Sequence, residues 1–269
     1  MSRTQPPASG AVLNALAILE SFDEQHVSQS LSEISRRLNI AKASAYRNLG
    51  ALERYGYIVR NPVDHTYSLG PKVLELSQRF LQHNPLVTVA RPILEEAAAA
   101  IGETAHLGVL DGCDVVYIET AESSQRVRAL VKRGDRIAAH VVASGKAILA
   151  YSDNAPIEAV LDAGLAAKTS RSLTSRETFL AELAMTRERG FAFAIGEWVE
   201  DVVAVAAPVF SHLDQVVGAI GIAAPRSRLD AADLMDIGLK IQEYAAIASS
   251  KLGSTHNKTF SYEAKQRDL

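Results

Sequence analysis

The sequence predicts a two-domain α+β protein: a winged helix-turn-helix at the N-terminal end, a linker helix, and a larger domain of strands and helices behind it. Three observations carry this. Residues 31–69 run as short helix, tight turn, second helix and two-stranded hairpin. Asn84-Pro85 breaks the chain just after an amphipathic helical stretch. Beyond it, valine- and isoleucine-rich runs are interleaved with helical ones, the order of a sheet with helices packed against it.

In the first helix, residues 11–22, Val12, Leu16 and Leu19, flanked by Leu13 and Ile18, form one apolar face. Ser32 is placed to cap the next helix, which turns Ile34 and Leu38 inward and Arg36 and Arg37 outward. Asn39-Ile40-Ala41 makes the turn. The second helix of the pair, 42–55, has Ala45, Leu49 and Leu52 as its inward stripe, and Gly56 stops it. Tyr57-Ile58-Val59 and 66–69 pair across the turn residues Asn61-Pro62-Val63-Asp64. An isolated hairpin is marginal, so this wing has to lean on the helices. After Gly70-Pro71, residues 72–82 carry Val73, Leu76 and Phe80 on one side, as a linker helix. The expected divisions are 1–70, linker 71–84, second domain 85–252 and a polar tail 253–269. Residues 1–10 are rich in Ser, Pro and Gly and are expected to fray.

The second domain opens with a helix over 86–101, ended by Gly102. Strands are expected near 104–110 and 115–119 around the turn Asp111-Gly112, then near 127–132 and 136–142, giving a mixed sheet. Short helices follow at 145–151 and 156–161. Thr174-Ser175-Arg176-Glu177 reads as a capping box before a helix ending at Gly190. Strands at 191–196, 202–210 and 215–222 come next, and Asp230 caps a closing helix from 231 to about 251.

Composition narrows the function classes. The 269 residues are 48% hydrophobic with a net charge of −3, so cores are ample and no global basicity marks a nucleic-acid partner. The charge is uneven. Residues 1–83 hold nine Lys/Arg against seven Asp/Glu, leaving nineteen against twenty-four for the rest. A slightly basic head on an acidic body suits a DNA-reading module joined to a different domain. Cys113 is the only cysteine, which excludes an intrachain disulfide and fits a cytoplasmic protein. No signal-peptide pattern and no uncharged apolar run of about 18 residues is present, so no membrane partner is expected.

A groove-reading helix needs polar side chains in its first turns and cations around them. Lys42, Ser44 and Arg47 stand there. Lys42 or Arg47 suits a guanine edge, and Ser44 a phosphate or a base. Tyr46 is either a phosphate ligand or a core aromatic. Arg36 and Arg37 on the preceding helix, and Arg60 and His65 on the wing, are candidate phosphate clamps. The bland alternative is a winged helix that docks protein, because fold alone does not license function.

In the second domain, Ser144-Gly145 precedes a helix whose first amides make a ready anion site; the alternative is a plain N-cap. Lys146 lacks any partner that spacing specifies, and no catalytic residue is assigned. Glu197, Glu200 and Asp201 bracket Trp198 and are either metal ligands or loop charges. No HxH, HExxH or CxxC spacing joins them, so neither metal nor cofactor is expected. Trp198 either lids an apolar pocket or covers a subunit interface. His106 and His140 either face a shared cavity or are satisfied core imidazoles, the second reading being preferred.

The chain resembles the IclR family of bacterial transcriptional regulators over about residues 11–252. The resemblance rests on AVLNALAILESF, LSEISRRLNIAKASAYRNLGALERYGYIVR, YSLG, GETAHLGVLDGCDVVYIE, GDRIAAHVVASGKAILA, LAELAMTRERGFAF, VAVAAPVF and GAIGIAAP in that order and spacing. It implies a DNA-binding winged helix, a linker helix and a GAF-like effector-binding domain, assembled as a homodimer or dimer of dimers. The implied effector is a small organic acid, often a catabolic intermediate, held near Ala143-Ser144-Gly145 and the last strands. Four family positions depart here: Ala45 follows the recognition-helix serine where threonine is usual, Asp201 replaces a usual glycine, Ala204 a usual cysteine, and Gly221-Ile222-Ala223-Ala224-Pro225 stands where a serine-rich strand is usual. Fewer polar side chains suggest a more apolar ligand, an aromatic or branched acid. Effector binding would change the spacing of paired heads, set against successive major grooves about 34 Å apart. Two rivals remain at this stage: an enzyme acting on a small carboxylate with a regulatory head, and a structural DNA-bridging protein.

Overall fold

The computed structural model describes residues 10–129, 131–229 and 231–256, and the chain divides into two compact units, Met1–Gln82 and His83–Leu269. The expectations for residues 1–9, for Asp230 as a cap and for the tail past His256 lie outside the described residues.

The first unit runs α1 (Gly10–Glu20), α2 (Leu31–Arg37), α3 (Lys42–Arg54), β1 (Ile58–Arg60), β2 (Tyr67–Leu69) and α4 (Pro71–His83). Its core is Ile18, Ile34, Leu49 and Ile58, all fully buried, closed by Ala45, Leu52 and Tyr67. The inward stripe of α3 is as the 3.6-residue period requires. The wing leans on the rest through Gln29, whose backbone exchanges hydrogen bonds with Tyr67 at 2.9 and 2.8 Å. Two local expectations are corrected. The cap of α2 is Ser30, not Ser32: the Ser30 hydroxyl accepts from the Glu33 amide while the Glu33 carboxylate accepts from the Ser30 amide. The core face of α1 is Ile18 with Ala15 and Leu19, whereas Val12, Leu13 and Leu16 are each more than half exposed. That helix is apolar on more than one side, so periodicity alone cannot choose its face.

The second unit runs α5 (Pro85–Ile101), β3 (Thr104–Asp111), β4 (Asp114–Ala121), β5 (Arg136–Ala138), a 3-10 turn (Ala139–Val141), α6 (Ala143–Ala150), α7 (Asn154–Ala163), α8 (Arg176–Arg189), β6 (Ala192–Ile195), β7 (Val202–Phe210), β8 (Val216–Pro225) and α9 (Ala231–Lys251). The sheet order is β5-β4-β3-β8-β7-β6. Every recorded pairing is antiparallel, so the mixture is of helices with strands rather than of strand directions. Among the described residues of 127–132, none is in a strand. The edge of β4 is taken by β5, so the preceding segment has no ladder partner, and it turns Ala129 and Val131 inward as side chains only. The strand expected over 136–142 ends at Ala138 and gives way to the 3-10 turn. Before α8 the cap is Ser175, which accepts from the Thr178 amide, one residue later than the box expected at Thr174 and Glu177.

Alternation along β7 and β8 sorts the sheet into two unlike faces. Val203, Val205, Val209, Ile220 and Ile222 are buried on the side where α9 packs. The other side presents Ala204, Ala206, Ala219 and Ala223, with Gly221 opposite Ala206, and takes α6. Small side chains on that face leave room for a helix and for a cavity. Residues 253–256, expected as the start of a loose tail, are instead held by Asp214, whose carboxylate accepts from Ser254, Thr255 and the His256 amide.

Candidate functional site

On the small-residue face, β3, β4, β7 and β8 together with Ala129, Val131 and the loop 196–201 line a cavity of about 50 Å³. Its walls are mostly aliphatic: Ala129, Val131, Ile137 and Val141 on one side, Ala194, Val199 and Val202 on the other. Four lining side chains carry polar atoms: His106, Tyr117, Glu197 and Trp198.

His106 on β3 is 1% exposed and stacks edge-on against Tyr117 with ring centroids 4.9 Å apart. Its Nε2 lies 3.2 Å from Ser144 Oγ at the start of α6, and its Nδ1 has no partner. Complete burial depresses its pKa to about 3, so the ring is neutral at physiological pH. The close seat depends on Gly221: a Cβ there would stand 2.9 Å from His106 Nε2 and 2.6 Å from the Val205 carbonyl. Burial also pushes the Tyr117 phenol well above its usual range, opposed by the nearby Ser144 hydroxyl.

Glu197 enters from the loop after β6. Gly196 turns the chain with φ +67, and a Cβ there would stand 2.8 Å from the Glu200 carbonyl, so glycine is required. The Ser172 and Thr169 hydroxyls donate to the Glu197 carbonyl and fix the turn. The Glu197 carboxylate is 2.7 Å from Lys146 Nζ through Oε1, while Oε2 is buried without a partner. Burial raises the pKa of Glu197, opposed by the Lys146 charge. Lys146 is 1% exposed and also lies 3.8 Å from Glu182, which in turn pairs with Arg189 at 3.1 Å. This lysine is a structural counter-ion, not a free nucleophile.

The sequence expectations meet this cavity unevenly. His106, Trp198, Ala204 and Ala223 line it. His106 is not the satisfied core imidazole preferred from sequence; His140 is, with Nε2 3.0 Å from the Ala166 carbonyl and no place in the lining. Ala143, Ser144 and Gly145 stand behind the wall rather than in it, and Ser144 reaches the lining only through His106 and Tyr117. Gly145 packs on the Ala139 backbone, where a Cβ would come within 2.1 Å of the carbonyl oxygen. Asp201 is turned outward and does not line the cavity. Tyr117 and Glu197 were missed as wall residues. Glu197 carried a signal, a carboxylate beside the only tryptophan, but nothing in the sequence paired it with Lys146.

On the first unit, Lys42, Tyr46 and Arg47 project from α3 as exposed side chains, which removes the core reading of Tyr46. Arg36 on α2 is exposed, as are Arg60 and His65 on the wing. His65 holds φ +59 at the hairpin tip, and Arg60 lies 5.9 Å from the Tyr67 ring centre. Ser44 is half-buried and accepts from Asn14 at 3.3 Å. Arg37 departs most from its expected role. Its Nη1 donates to the Ser21 carbonyl and to Gln29 Oε1, and its Nη2 lies 3.5 Å from Asp23, so it braces the loop before α2 from within.

Comparison with known proteins decides the frame. Residues 11–62 match the IclR helix-turn-helix domain, and residues 78–250 match the bacterial transcriptional regulator IclR C-terminal family. The chain belongs to the IclR family of transcriptional regulators. It is similar to the HTH-type transcriptional regulator XynR of Escherichia coli strain K12, 33% identical over 92% of this chain and 98% of that protein. The HTH-type transcriptional regulator KdgR of the same strain is 30% identical over 93% of this chain and 95% of that one. The crystal structure of an IclR-type regulator from Alicyclobacillus acidocaldarius superposes with a TM-score of 0.81, at 31% identity over 90% of this chain and 98% of that chain. As an IclR regulator the chain is a ligand-responsive DNA-binding protein, with a helix-turn-helix head, a linker helix and an effector domain. The family is regulatory, which removes the enzyme rival. No helix among the described residues is long and apolar enough to cross a membrane, and no cluster of three or more His, Cys, Asp or Glu is placed to hold a metal.

Proposed function

We propose that this IclR regulator reads an operator through the outer face of α3 and the wing, and controls a catabolic operon in response to a small organic acid held in the cavity. The exposed cations of α3 support the first half. Lys42 and Arg47 form no ion pair among the described residues and stand where a recognition helix meets base edges, with Tyr46 and Ser44 beside them. Arg36, Arg60 and His65 flank them as phosphate contacts. Arg37 contributes by holding the loop in place rather than by touching DNA.

The observation that carries the second half is a cavity with aliphatic walls, lined in part by the buried residues His106 and Glu197, each of which keeps one polar atom without a hydrogen-bond partner. A structural domain gains nothing from such atoms, each of which costs about 1–3 kcal/mol when unmet. The first-turn amides of α6, the expected anion site, stand behind Val141 and Val142, so a carboxylate meets them only if that wall moves. The enclosed volume is below the roughly 150 Å³ that admits benzene. It therefore suits a short aliphatic acid, and an aromatic one requires loops 122–135 and 196–201 to part.

A homodimer, or a dimer of dimers, is supported by apolar side chains left in water: Val12, Leu13 and Leu16 on α1 and Leu74, Leu76 and Phe80 on α4. The second copy is the natural cover for them. The test is a gel-shift titration of the chain on DNA upstream of its own and adjacent genes, repeated with a panel of short organic acids. Sequence-specific binding whose midpoint moves with one acid is expected. Specific binding indifferent to every small molecule would return the bridging-protein reading.

A further inference from the structure

The segment that carries Ala129 and Val131 into the cavity wall has no ladder partner at those residues. Polar anchors hold it instead, and they converge on α5. The Ser123 hydroxyl donates to the carbonyl of Gly102, which closes α5, at 2.6 Å. The Arg228 guanidinium donates to the Val127 carbonyl at 2.7 Å and grips Glu103, one residue past Gly102, at 2.6 and 2.7 Å. The third anchor is Glu119 on β4, which is 1% exposed. Its Oε2 accepts from Arg91 of α5 at 2.9 Å, and its Oε1 pairs with Arg133 at 2.5 Å.

One buried carboxylate thus takes a separate arginine on each oxygen, from two different elements. Without Arg133, Oε1 would keep only the Thr120 amide, at 3.0 Å, and Arg91 would neutralise a buried charge alone. The position of residues 131–135 and the position of Arg91 are therefore energetically linked. Arg91 sits at the weak turn of its helix, because Pro92 lacks the amide that would close on the Thr88 carbonyl. The turns before it start at Pro85, with only Asn84 between α5 and the linker helix α4. Asn84 caps that start by accepting from the Leu86 amide at 3.0 Å. We infer that Glu119 is a coupling residue: through Arg133 and Arg91 it passes displacement of the cavity wall to the end of α5 that joins the linker helix. This rests on the reading of the cavity as the effector site and names how that site reaches the head. Glu119 does not line the cavity, so its role is positioning.

The test uses the full chain without ligand. Hydrogen exchange read by mass spectrometry compares residues 86–96 with 131–135. Arg133→Ala should speed exchange over 86–96 by about 5-fold or more, as expected for one lost charge-assisted hydrogen bond. Arg133→Lys should restore most of the protection. Arg91→Ala should in turn speed exchange over 131–135, because coupling is reciprocal, and it decides the question if the Arg133 variant fails to fold. Arg136→Ala is the comparison, since Arg136 pairs with Asp111 and Asp114 rather than with α5, and it should leave 86–96 unchanged. Acceleration confined to the mutated element, or equal acceleration of 86–96 in Arg136→Ala, overturns the coupling whatever the cavity binds. A gel shift on the upstream DNA then reads how far it extends. Each single variant, Arg91→Ala and Arg133→Ala, should move the operator midpoint by about 5-fold or more, and the double variant no further than the larger single. Additive shifts, or none, overturn the link to the head. A wild-type chain that binds no upstream DNA specifically overturns the operator reading instead, and the exchange result still decides the coupling.

Discussion

The outer face of α3 and the cavity behind β3 place opposite demands on their polar groups. Lys42, Tyr46 and Arg47 stand in water, where an unpaired charge is solvated while it awaits a partner. His106 and Glu197 are 1% and 8% exposed, and each keeps one atom unmet. An unmet buried polar atom costs about 1–3 kcal/mol, whereas an exposed one costs nothing of the kind. The head is therefore complete as a folded object without DNA. The buried layer beside the cavity is not, since the fold leaves those two atoms unmet.

Breaking the buried layer should have the largest effect. Lys146→Met leaves Glu197 a buried charge without its counter-ion, and a loss of about 3–5 kcal/mol in unfolding free energy is expected from urea denaturation. The double variant Lys146→Met with Glu197→Leu should recover most of it, because an apolar replacement of both partners is often near neutral. A double variant no more stable than the single would mean that lost packing, not stranded charge, sets the cost.

The head should respond in function rather than stability. Arg47→Ala should weaken specific operator binding by about 1–3 kcal/mol, roughly 5- to 150-fold, with the urea midpoint unmoved. Arg37→Ala sharpens the contrast within the same unit. Removal of its contacts to Ser21 and Gln29 should lower stability by about 1–2 kcal/mol and expose the loop before α2 to protease. Equal operator loss in both variants at unchanged stability would return Arg37 to the phosphate-contacting set.

The last effect is a slope with pH. The unfolded His106 imidazole takes a proton near pH 6.5, whereas the folded one resists until about pH 3. Its contribution to stability is fully present above pH 6.5 and is lost as pH falls toward 3, by up to about 1.4 kcal/mol per pH unit. His106→Gln should remove that component. The wild type minus variant difference in unfolding free energy should shrink between pH 6.5 and 4.5, with carboxylates common to both cancelling. A pH-independent difference would argue against a neutral buried imidazole.

The same contrast explains what could be read in the sequence. The head was legible because its information is local. The α3 stripe of Ala45, Leu49 and Leu52 repeats at helical spacing, and the wing declares itself by Asn61-Pro62 and its flanking strands. It failed where local rules tie. Ser30 and Ser32 both suit a cap, and only the reciprocal bond to Glu33 separates them. Val12 and Leu16 suit a core as well as an exposed apolar flank. The segment 127–132 reads as a strand because Ala129 and Val131 alternate inward, yet alternation says nothing about whether a ladder partner exists. The cavity was less legible because its chemistry is assembled from distant parts. Lys146 and Glu197 are 51 residues apart, and His106 and Ser144 are 38 apart. Which atom ends without a partner depends on how those elements close, and no spacing rule records it.

The cavity also bears on how long each molecule lasts in a cell. A ligand that binds only the folded chain raises its stability by RT ln(1 + [L]/Kd), about 2.7 kcal/mol at a hundredfold excess over Kd. Proteases sample the opened chain, and their access falls as that population falls. If the proposed acid binds only the folded chain, it slows degradation of the regulator that detects it. Copy number would then rise with that acid, a response slower than the change in operator occupancy and running alongside it.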